Sequence, residues 1–276
     1  MASATRLREP APVRWALRLV AVVYVFLLVL WPVSLVVKYT FADGLTTLTG
    51  ALSDPVVTDA LWLTAKVALV AVAINLLFGV GISLLLVRYE FPGKRILSAL
   101  IDVPLSVSPV VVGLALLLVF NPRTGLFGPG LSEAGIDVIF ASPGMVLATV
   151  FVALPLVIRE VVPVLEEIGD EQEQASQSLG ANAVQTFRRI TLPSIKWAVV
   201  YGVVLSLARS LGEYGAVKVV SGNIVQQTQT ATLVVESKYQ GFDQGTAYAT
   251  AFLLALASVL CIVVVSILRP SQNRES

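Results

Sequence analysis

The stretch VALVAVAINLLFGVGISLLLV, residues 67–87, contains no charged residue, and Asn75 and Ser83 are its only polar side chains. A helix needs roughly 20 mostly apolar residues to cross the hydrocarbon core of a bilayer. The stretch therefore predicts a membrane-spanning helix. The fold then depends on how many other runs of this kind the chain contains.

Similar runs recur between charged connections and connections rich in glycine and proline. Asp54-Pro55 predicts a helix start, since aspartate can cap a helix and proline suits the first turn. Trp31-Pro32-Val33 is no small-residue cleavage site, so the first run is interpreted as a retained anchor. We expect an all-α polytopic membrane protein with one transmembrane domain, residues 19–268, and six helices at about 19–37, 62–87, 98–120, 142–162, 195–217 and 245–268.

Composition supports a membrane protein and opposes an enzyme. Hydrophobic residues make up 56% of the chain and charged residues 13%, and the mean hydropathy is +0.84. The single cysteine, Cys261, allows neither an intrachain disulfide nor a cysteine-based metal site. Histidine, the commonest metal ligand and general base, is absent from the sequence. We expect no metal site and no catalytic residue.

Positive charge predicts how the helices are oriented. Most of the 19 Lys and Arg residues fall in segments that share one side if both termini are cytoplasmic. The resulting expectation is a multi-pass protein of the bacterial cytoplasmic (inner) membrane. Its predicted cytoplasmic parts are the N-terminal segment 1–18, a long loop at 163–196 and the C-terminal tail 269–276.

The long cytoplasmic loop is patterned as a helix, a sharp turn and a short helix. Gly180 can supply the left-handed residue that ends the first helix, and Asn182 can cap the second. Leu192-Pro193 is expected to stop the second helix, with Phe187 presented to the cytoplasm. The apolar positions of the first helix are Leu165, Ile168, Ala175 and Leu179, and those of the second are Val184, Phe187 and Ile190, opposite Gln185, Arg188 and Arg189. Such a face indicates a docking partner.

The loop resembles the EAA loop of ABC importer permeases, in which Glu-Ala-Ala is followed by a glycine and then by Ile-x-Leu-Pro. The matching residues are Gln174-Ala175-Ser176, Gly180 and Ile190-Thr191-Leu192-Pro193, with Gln174 in place of the glutamate and Glu173 beside it. The resemblance implies the type I importer permease fold and a short helix that docks on an ATPase subunit. The ATPase-coupling residues that it implies are Gln174, Ala175, Gly180, Ala181, Asn182, Val184, Phe187, Arg188, Ile190, Leu192 and Pro193.

Further motifs are similar to those of sulfate/thiosulfate permeases, and of the W-type subunit in particular. They include Phe91-Pro92-Gly93-Lys94, Asp102-Val103-Pro104 and Leu211-Gly212-Glu213-Tyr214-Gly215. Molybdate and tungstate permeases share much of the last motif, so they remain an alternative. The resemblance implies a T-type permease partner, two ATPase subunits that bind ATP and Mg, and an extracytoplasmic sulfate-binding protein, with no cofactor on this chain.

Two interruptions of the apolar runs could line a path for an oxyanion, which needs hydrogen-bond donors. The candidate residues are Ser106, Ser108, Arg209, Ser210, Glu213 and Tyr214. The alternative for the prolines beside the serines is an ordinary kink, and the alternative for Arg209 and Glu213, four residues apart, is that they only neutralise each other. Asp102 is interpreted as a boundary acid and Lys66 as a side chain that reaches outward to the membrane surface.

Two other classes of function remain as alternatives. A secondary transporter driven by an ion gradient would use intramembrane carboxylates, for which Glu213 is the candidate. An intramembrane enzyme would need a nucleophile and base pair that the sequence does not suggest. The sequence contains no phosphate-binding P-loop, so the ATPase is expected to be another chain. The other expected partner is the lipid bilayer, and no nucleic acid is expected.

Overall fold

Helices account for the regular structure in residues 11–268, the part of the chain that this computed structural model describes. Residues 1–10 of the predicted segment 1–18, and the whole predicted tail 269–276, lie outside the described residues. In chain order the helices are α1 (Ala11–Val25), α2 (Trp31–Thr40), α3 (Thr46–Ser53), α4 (Pro55–Arg88), α5 (Lys94–Ser106), α6 (Pro109–Phe120), α7 (Gly128–Glu133), α8 (Ser142–Ile168), α9 (Glu171–Ser178), α10 (Ala183–Thr186), α11 (Leu192–Leu211), α12 (Gly215–Val220), α13 (Ala231–Gln240) and α14 (Gln244–Leu268).

The helices that are long and apolar enough to cross a membrane confirm the predicted fold class. In the described residues there are five such stretches, and α5 with α6 forms a sixth when the two are counted as one broken span. The five are Pro12–Thr40, Pro55–Arg88, Ser142–Ile168, Ala183–Leu211 and Gln244–Val264. The chain is therefore an all-α polytopic membrane protein.

The third span, predicted at 98–120 with an interruption at the prolines around Ser106 and Ser108, is broken where the sequence indicated. It consists of α5 and α6, whose axes are bent by 114° at the break. Ser108 has extended backbone angles, φ −59° and ψ 134°, because the ring of Pro109 disfavours the helical conformation in the residue before it. Pro109 therefore prevents α5 from continuing and is also the first residue of α6.

The fourth and fifth spans also have boundaries unlike the predicted ones. Helix α8 continues past the predicted end at 162 to Ile168, and it contains Pro155 and Pro163. Helix α11 ends at Leu211, whereas the predicted span ran through 195–217, and the separate helix α12 starts at Gly215. The chain therefore breaks within both its third and its fifth span.

The centre of the bundle is a close contact of α4, α8 and α11. Val157 of α8 is fully buried, and it faces Gly79 of α4 on one side and Gly202 of α11 on the other. Lipid tails are as apolar as these side chains, so helices in a membrane associate through close packing at small residues. The two glycines permit that approach.

The N-terminal end of α4 is joined to α13 by polar contacts. Asp54 accepts a hydrogen bond from Val56 N at 2.9 Å, which caps α4, and it also pairs with Lys238 Nζ at 2.9 Å. Thr64 accepts a hydrogen bond from Ala231 N at 2.8 Å, which satisfies a free N–H in the first turn of α13. The hydrogen bond from Lys238 is the main reason that the pKa of Asp54 lies below its ordinary value.

Gly79→Ala should destabilise the protein, whereas the matched variant Gly81→Ala should not. A Cβ at position 79 would lie 2.7 Å from Val157 Cγ1 and 2.9 Å from Val157 Cβ, while a Cβ at position 81 would meet nothing within 4 Å. We expect Gly79→Ala to cost about 1–3 kcal/mol, and Gly81→Ala to be neutral or stabilising because alanine favours a helix by about 1 kcal/mol. Thermal unfolding of the purified protein in detergent measures this. Equal midpoints for the two variants would contradict the close contact.

Asp54→Asn should reduce stability at neutral pH and not at acidic pH. A carboxylate whose pKa is lowered on folding stabilises the protein above that pKa, and the stabilisation is lost as the pH falls through it. Asparagine can still cap α4, so only the partly exposed ion pair is lost, at about 0.5–1 kcal/mol. Asp54→Ala should cost about 1 kcal/mol more through the lost cap. Thermal unfolding as a function of pH measures both, and a wild-type to Asn difference that is independent of pH would contradict this role.

Candidate functional site

The predicted cytoplasmic loop forms a compact hairpin of α9 and α10 between α8 and α11. Helix α8 ends at Ile168, its C-cap Gly169 has a positive φ of 65°, and α9 begins at Glu171. Because α8 runs to Ile168, the first part of the predicted loop 163–196 belongs to the membrane helix. The hairpin is therefore shorter than predicted and lies directly at the helix ends.

The turn between α9 and α10 is built around Gly180. Its φ is +89°, its N–H donates to Gln177 O at 2.9 Å, and Ala181 N donates to Ser176 O at 3.1 Å. This pattern closes a helix and requires a left-handed residue. Nothing lies within 4 Å of a Cβ built at Gly180, so its backbone angle and not a lack of space requires glycine. The structure thus has the sharp turn that the sequence indicated.

Helix α10 begins with a reciprocal cap. Asn182 Oδ1 accepts from Gln185 N at 2.9 Å, and Gln185 Oε1 accepts from Asn182 N at 2.9 Å. Each side chain satisfies a backbone N–H that the helix leaves free. A hydrogen bond of 2.7 Å between Ser176 Oγ and Thr186 Oγ1 then joins α10 to α9.

Pro193 does not stop the second helix, contrary to the sequence prediction. The chain passes from α10 through a π-helical turn, Phe187–Thr191, directly into α11, and Pro193 lies in the first turn of α11. Proline cannot donate to the carbonyl four residues earlier and its ring collides with that carbonyl, and a wider turn accommodates both effects. The predicted coupling segment is thereby continuous with the apolar helix α11.

The predicted coupling residues divide into an exposed set and a packed set. Phe187 is half-buried against the cluster of Val80, Val157 and Ile195, so the expectation that it faces the cytoplasm is wrong. The apolar residues most exposed on the hairpin are Leu179, at 90%, and Val184, at 66%. The other exposed members of the predicted set are Gln174, Ala175, Gly180, Asn182, Arg188, Leu192 and Pro193, whereas Ala181 and Ile190 are half-buried.

Arg88, which the sequence did not single out, holds the hairpin against the bundle. Its guanidinium donates to Leu165 O at 3.1 Å and to Gly169 O at 2.6 Å, and its Nε lies 3.0 Å from Glu173 Oε2. Thr191 Oγ1 donates to Glu173 Oε1 at 2.8 Å. The exposed fractions of the Arg88 and Glu173 side chains are only 13% and 15%. No regular spacing connects residues 88 and 173, so sequence patterns could not have found this contact.

The two predicted groups of path residues are brought together by packing of α6 against α12. A Cβ at Gly215 would lie 3.1 Å from Pro109 Cβ, and one at Gly113 would lie 2.8 Å from Ala216 O. The break that carries Ser106 and Ser108, both exposed, therefore lies beside the break of the fifth span. Glycine at position 113 lets the two backbones touch, and glycine at position 215 leaves room for the side chains of Pro109 and Val110.

The break after α11 is supported by Glu213. This buried carboxylate lies 2.6 Å from Arg209 Nη1, and its other oxygen accepts from Ala216 N at 3.1 Å at the start of α12. Its backbone carbonyl accepts from Thr232 Oγ1 at 2.9 Å. Arg209 remains 38% exposed, so its guanidinium is paired and still accessible. Glu213 thus has both a structural contact and a charge partner.

The remaining path candidates already have hydrogen-bond partners. Ser210 donates back to Ser206 O at 2.7 Å, and Tyr214 accepts from Lys218 at 2.8 Å, while Lys218 also pairs with Glu236. Helical serines commonly bond back in this way. Of the predicted donors, Arg209 and the two serines at the third-span break are the ones left accessible.

A further exposed cation, on α8, was not predicted. Arg159 of α8 forms a 2.9 Å ion pair with Asp102 of α5, and both side chains are more than half exposed. Asp102 therefore joins two helices, whereas the sequence suggested only a boundary acid. Within residues 11–268, no three carboxylate or cysteine side chains lie close enough together to hold a metal ion.

These features, an exposed hairpin at the helix ends and two adjacent broken spans with accessible cations, can be compared with known proteins. The family model described as "Binding-protein-dependent transport system inner membrane component" matches residues 75–274. The chain is 44% identical over 257 residues to the sulfate transport system permease protein CysW of Synechococcus elongatus, covering 93% of this chain and 90% of that protein. It is 36% identical over 254 residues to the sulfate transport system permease protein CysT of Salmonella typhimurium, covering 92% and 91%.

A solved structure supports the fold independently. A chain in the crystal structure of a bacterial ABC transporter that imports the acidic polysaccharide alginate matches with a TM-score of 0.78, covering 93% of this chain and 94% of that one. Its identity of 14% means that this likeness concerns the fold alone. Taken with the family match, it shows that the chain belongs to the inner-membrane components of binding-protein-dependent transport systems, the ABC importer permeases.

Proposed function

We propose that this chain is the W-type permease subunit of an ATP-driven importer of sulfate and thiosulfate, and that it forms half of the translocation path. The relative at 44% identity is named as a CysW sulfate permease, whereas identity to the named CysT relative is 36%. Adjacent broken helices with accessible Arg209 suit a tetrahedral dianion, because arginine presents several donors in a fixed arrangement.

The observation that carries the proposal is the hairpin of α9 and α10. It projects exposed Leu179 and Val184 from the end of the bundle, where a membrane protein has no reason of its own to display apolar side chains. A partner that covers these side chains would bury apolar surface and gain affinity. An ATPase subunit is the partner that fits the permease family.

The assembly that we propose contains one T-type permease, two ATPase subunits and an extracytoplasmic sulfate-binding protein. ATP and Mg bind to the ATPase subunits, and this chain hydrolyses no ATP. The family description names dependence on a binding protein, and the sequence lacks a P-loop. Both termini lie in the cytoplasm of a bacterium, which the distribution of Lys and Arg supports.

Within the path, cations paired to carboxylates would exchange partners with the anion. Arg209 is held by Glu213 and Arg159 by Asp102, so neither charge is unpaired in the membrane when the path is empty. Serine hydroxyls at the third-span break add neutral donors. Weak and shared contacts of this kind let the anion pass without being trapped.

Two alternatives differ from the proposed function, one in the anion that is transported and the other in the energy source. Molybdate or tungstate import would use the same assembly, and competition distinguishes it. An ion-coupled secondary transporter would need a carboxylate free to bind an ion, but Glu213 already contacts Arg209 and Ala216 N. The geometry therefore favours the ATP-driven permease.

Uptake of labelled sulfate tests the proposed function directly. A strain that lacks its own sulfate permeases and expresses this chain with its partner subunits should take up sulfate, and excess thiosulfate should compete more strongly than molybdate. Uptake that persists after ATP depletion would overturn the ATP-driven mechanism. Stronger competition by molybdate would assign the other anion class.

Gly180→Pro should abolish uptake while the protein still inserts in the membrane. Proline fixes φ near −65° and has no N–H, so it can neither adopt the φ of +89° nor donate to Gln177 O. Gly180→Asn is the matched control, because asparagine tolerates left-handed angles and its Cβ meets no neighbour. The measurement is uptake normalised to membrane protein. Unchanged uptake with proline would show that the turn is unimportant.

Arg209→Met should prevent stable folding, whereas Arg209→Met with Glu213→Gln should fold and transport poorly. The single change leaves the buried Glu213 without its cation, at a cost of about 3–5 kcal/mol. The double change removes both charges, and we expect its uptake to fall about tenfold through the lost charge-assisted hydrogen bonds to the anion. Detergent stability and uptake are measured for both variants. Full uptake by the double variant would remove Arg209 from the path.

A further inference from the structure

Arg88 and Glu173 form a strap that ties the α9–α10 hairpin to the helix bundle. The strap joins the last residue of α4, the carbonyls at the end of α8, the first turn of α9 and the π-helical turn before α11. The end of α4 therefore meets three segments that lie 77 or more residues later in the chain, at one guanidinium and one carboxylate.

Both charged groups of the strap have more than one hydrogen-bond partner. Arg88 donates to two carbonyl oxygens at the C-terminal end of α8, where unpaired carbonyls and the negative end of the helix dipole favour a cation. Its remaining N–H groups reach both oxygens of Glu173, at 3.0 Å and 3.3 Å. Glu173 in turn accepts from Thr191. Removing either charge leaves its buried partner without compensation.

The hairpin is also closed upon itself. The turn at Gly180 has two backbone hydrogen bonds. A hydrogen bond between Ser176 Oγ and Thr186 Oγ1 also joins α9 directly to α10. Thr191 extends the connection to the start of α11. Gly180 is therefore a fixed bend between two helices that are linked to each other, and the hairpin has no internal joint there.

Glu173 is distinct from its exposed neighbour Gln174. Gln174 faces solvent and donates to Asp170 at 2.8 Å, whereas Glu173 is turned inward to Arg88. The charge of Glu173 is therefore unavailable to a docked partner, and its role lies within the chain.

We propose that Arg88 and Glu173 are positioning residues that make the hairpin and the α4–α8–α11 bundle one rigid body, so that a displacement of the hairpin reaches the membrane helices. This rests on the proposed docking of an ATPase on the hairpin. Its direct consequence, a fixed distance between hairpin and bundle, holds whether or not the assembly transports sulfate.

The test is a distance measurement between spin labels in the assembled complex in lipid nanodiscs. The background is Cys261→Ser, which removes the single native cysteine, and the labels are attached at Gln177→Cys on α9 and Leu77→Cys on α4, both exposed sites. We expect a narrow distance distribution that is the same without nucleotide and with ATP and Mg. Arg88→Met and Glu173→Gln should each broaden it, and Lys94→Met, which removes an exposed pair with Glu90, should not.

Uptake per ATP hydrolysed is the second readout. Arg88→Met and Glu173→Gln should lower this ratio about tenfold in proteoliposomes, while the Lys94→Met control keeps it. Because Glu173→Gln is nearly isosteric, it keeps the test decisive if Arg88→Met does not fold. A distribution that stays narrow in both variants, or that shifts with nucleotide in the wild type, overturns the rigid-body proposal. A wild-type complex without ATP-dependent uptake overturns the proposed function instead. In that case the spin-label distances still test whether Arg88 and Glu173 hold the hairpin rigidly against the bundle.

Discussion

Inside the hydrocarbon core no water is present to satisfy a free backbone N–H or C=O, so the chain must satisfy them itself. Helices do this within one segment, and a break is tolerated only where other groups take over. The break in the fifth span meets that condition, because Glu213 caps α12 and its backbone carbonyl accepts from Thr232 Oγ1. At the break in the third span, Pro109 occupies the first turn of α6 and has no N–H to leave unpaired. The breaks then pack against each other through Gly113 and Gly215.

The same constraint explains where polar groups were retained. Arg209 with Glu213, and Arg159 with Asp102, are pairs in which an exposed cation is neutralised by a carboxylate from its own or an adjacent helix. An isolated charge inside a membrane is costly, and pairing with a carboxylate lowers that cost. In the translocation path that we propose, such pairs would be neutral when no anion is bound.

At the end of the bundle that carries the hairpin, the contacts matter for a mechanical reason. The ATPase subunit that we propose could move the membrane helices only if the hairpin does not bend independently of them. The π-helical turn Phe187–Thr191 joins the hairpin to α11 without a break, and the strap of Arg88 and Glu173 joins it to α4 and α8. Phe187 packs into the bundle and strengthens this connection, which leaves Leu179 and Val184 as the apolar side chains that face outward.

The sequence by itself determined the all-helical membrane fold, the six apolar spans, the Gly180 turn and the Asn182 cap, because these depend on local composition and on short spacings that only a helix or a turn can satisfy. The prolines of the third span indicated an interruption, but the tertiary structure alone decided its angle of 114°. It alone also decided the continuation of the helix through Pro193 and the inward position of Phe187. It alone paired Arg88 with Glu173 and Arg159 with Asp102. Those contacts join residues 85 and 57 positions apart, and such distances in sequence carry no periodic signal until the helices pack.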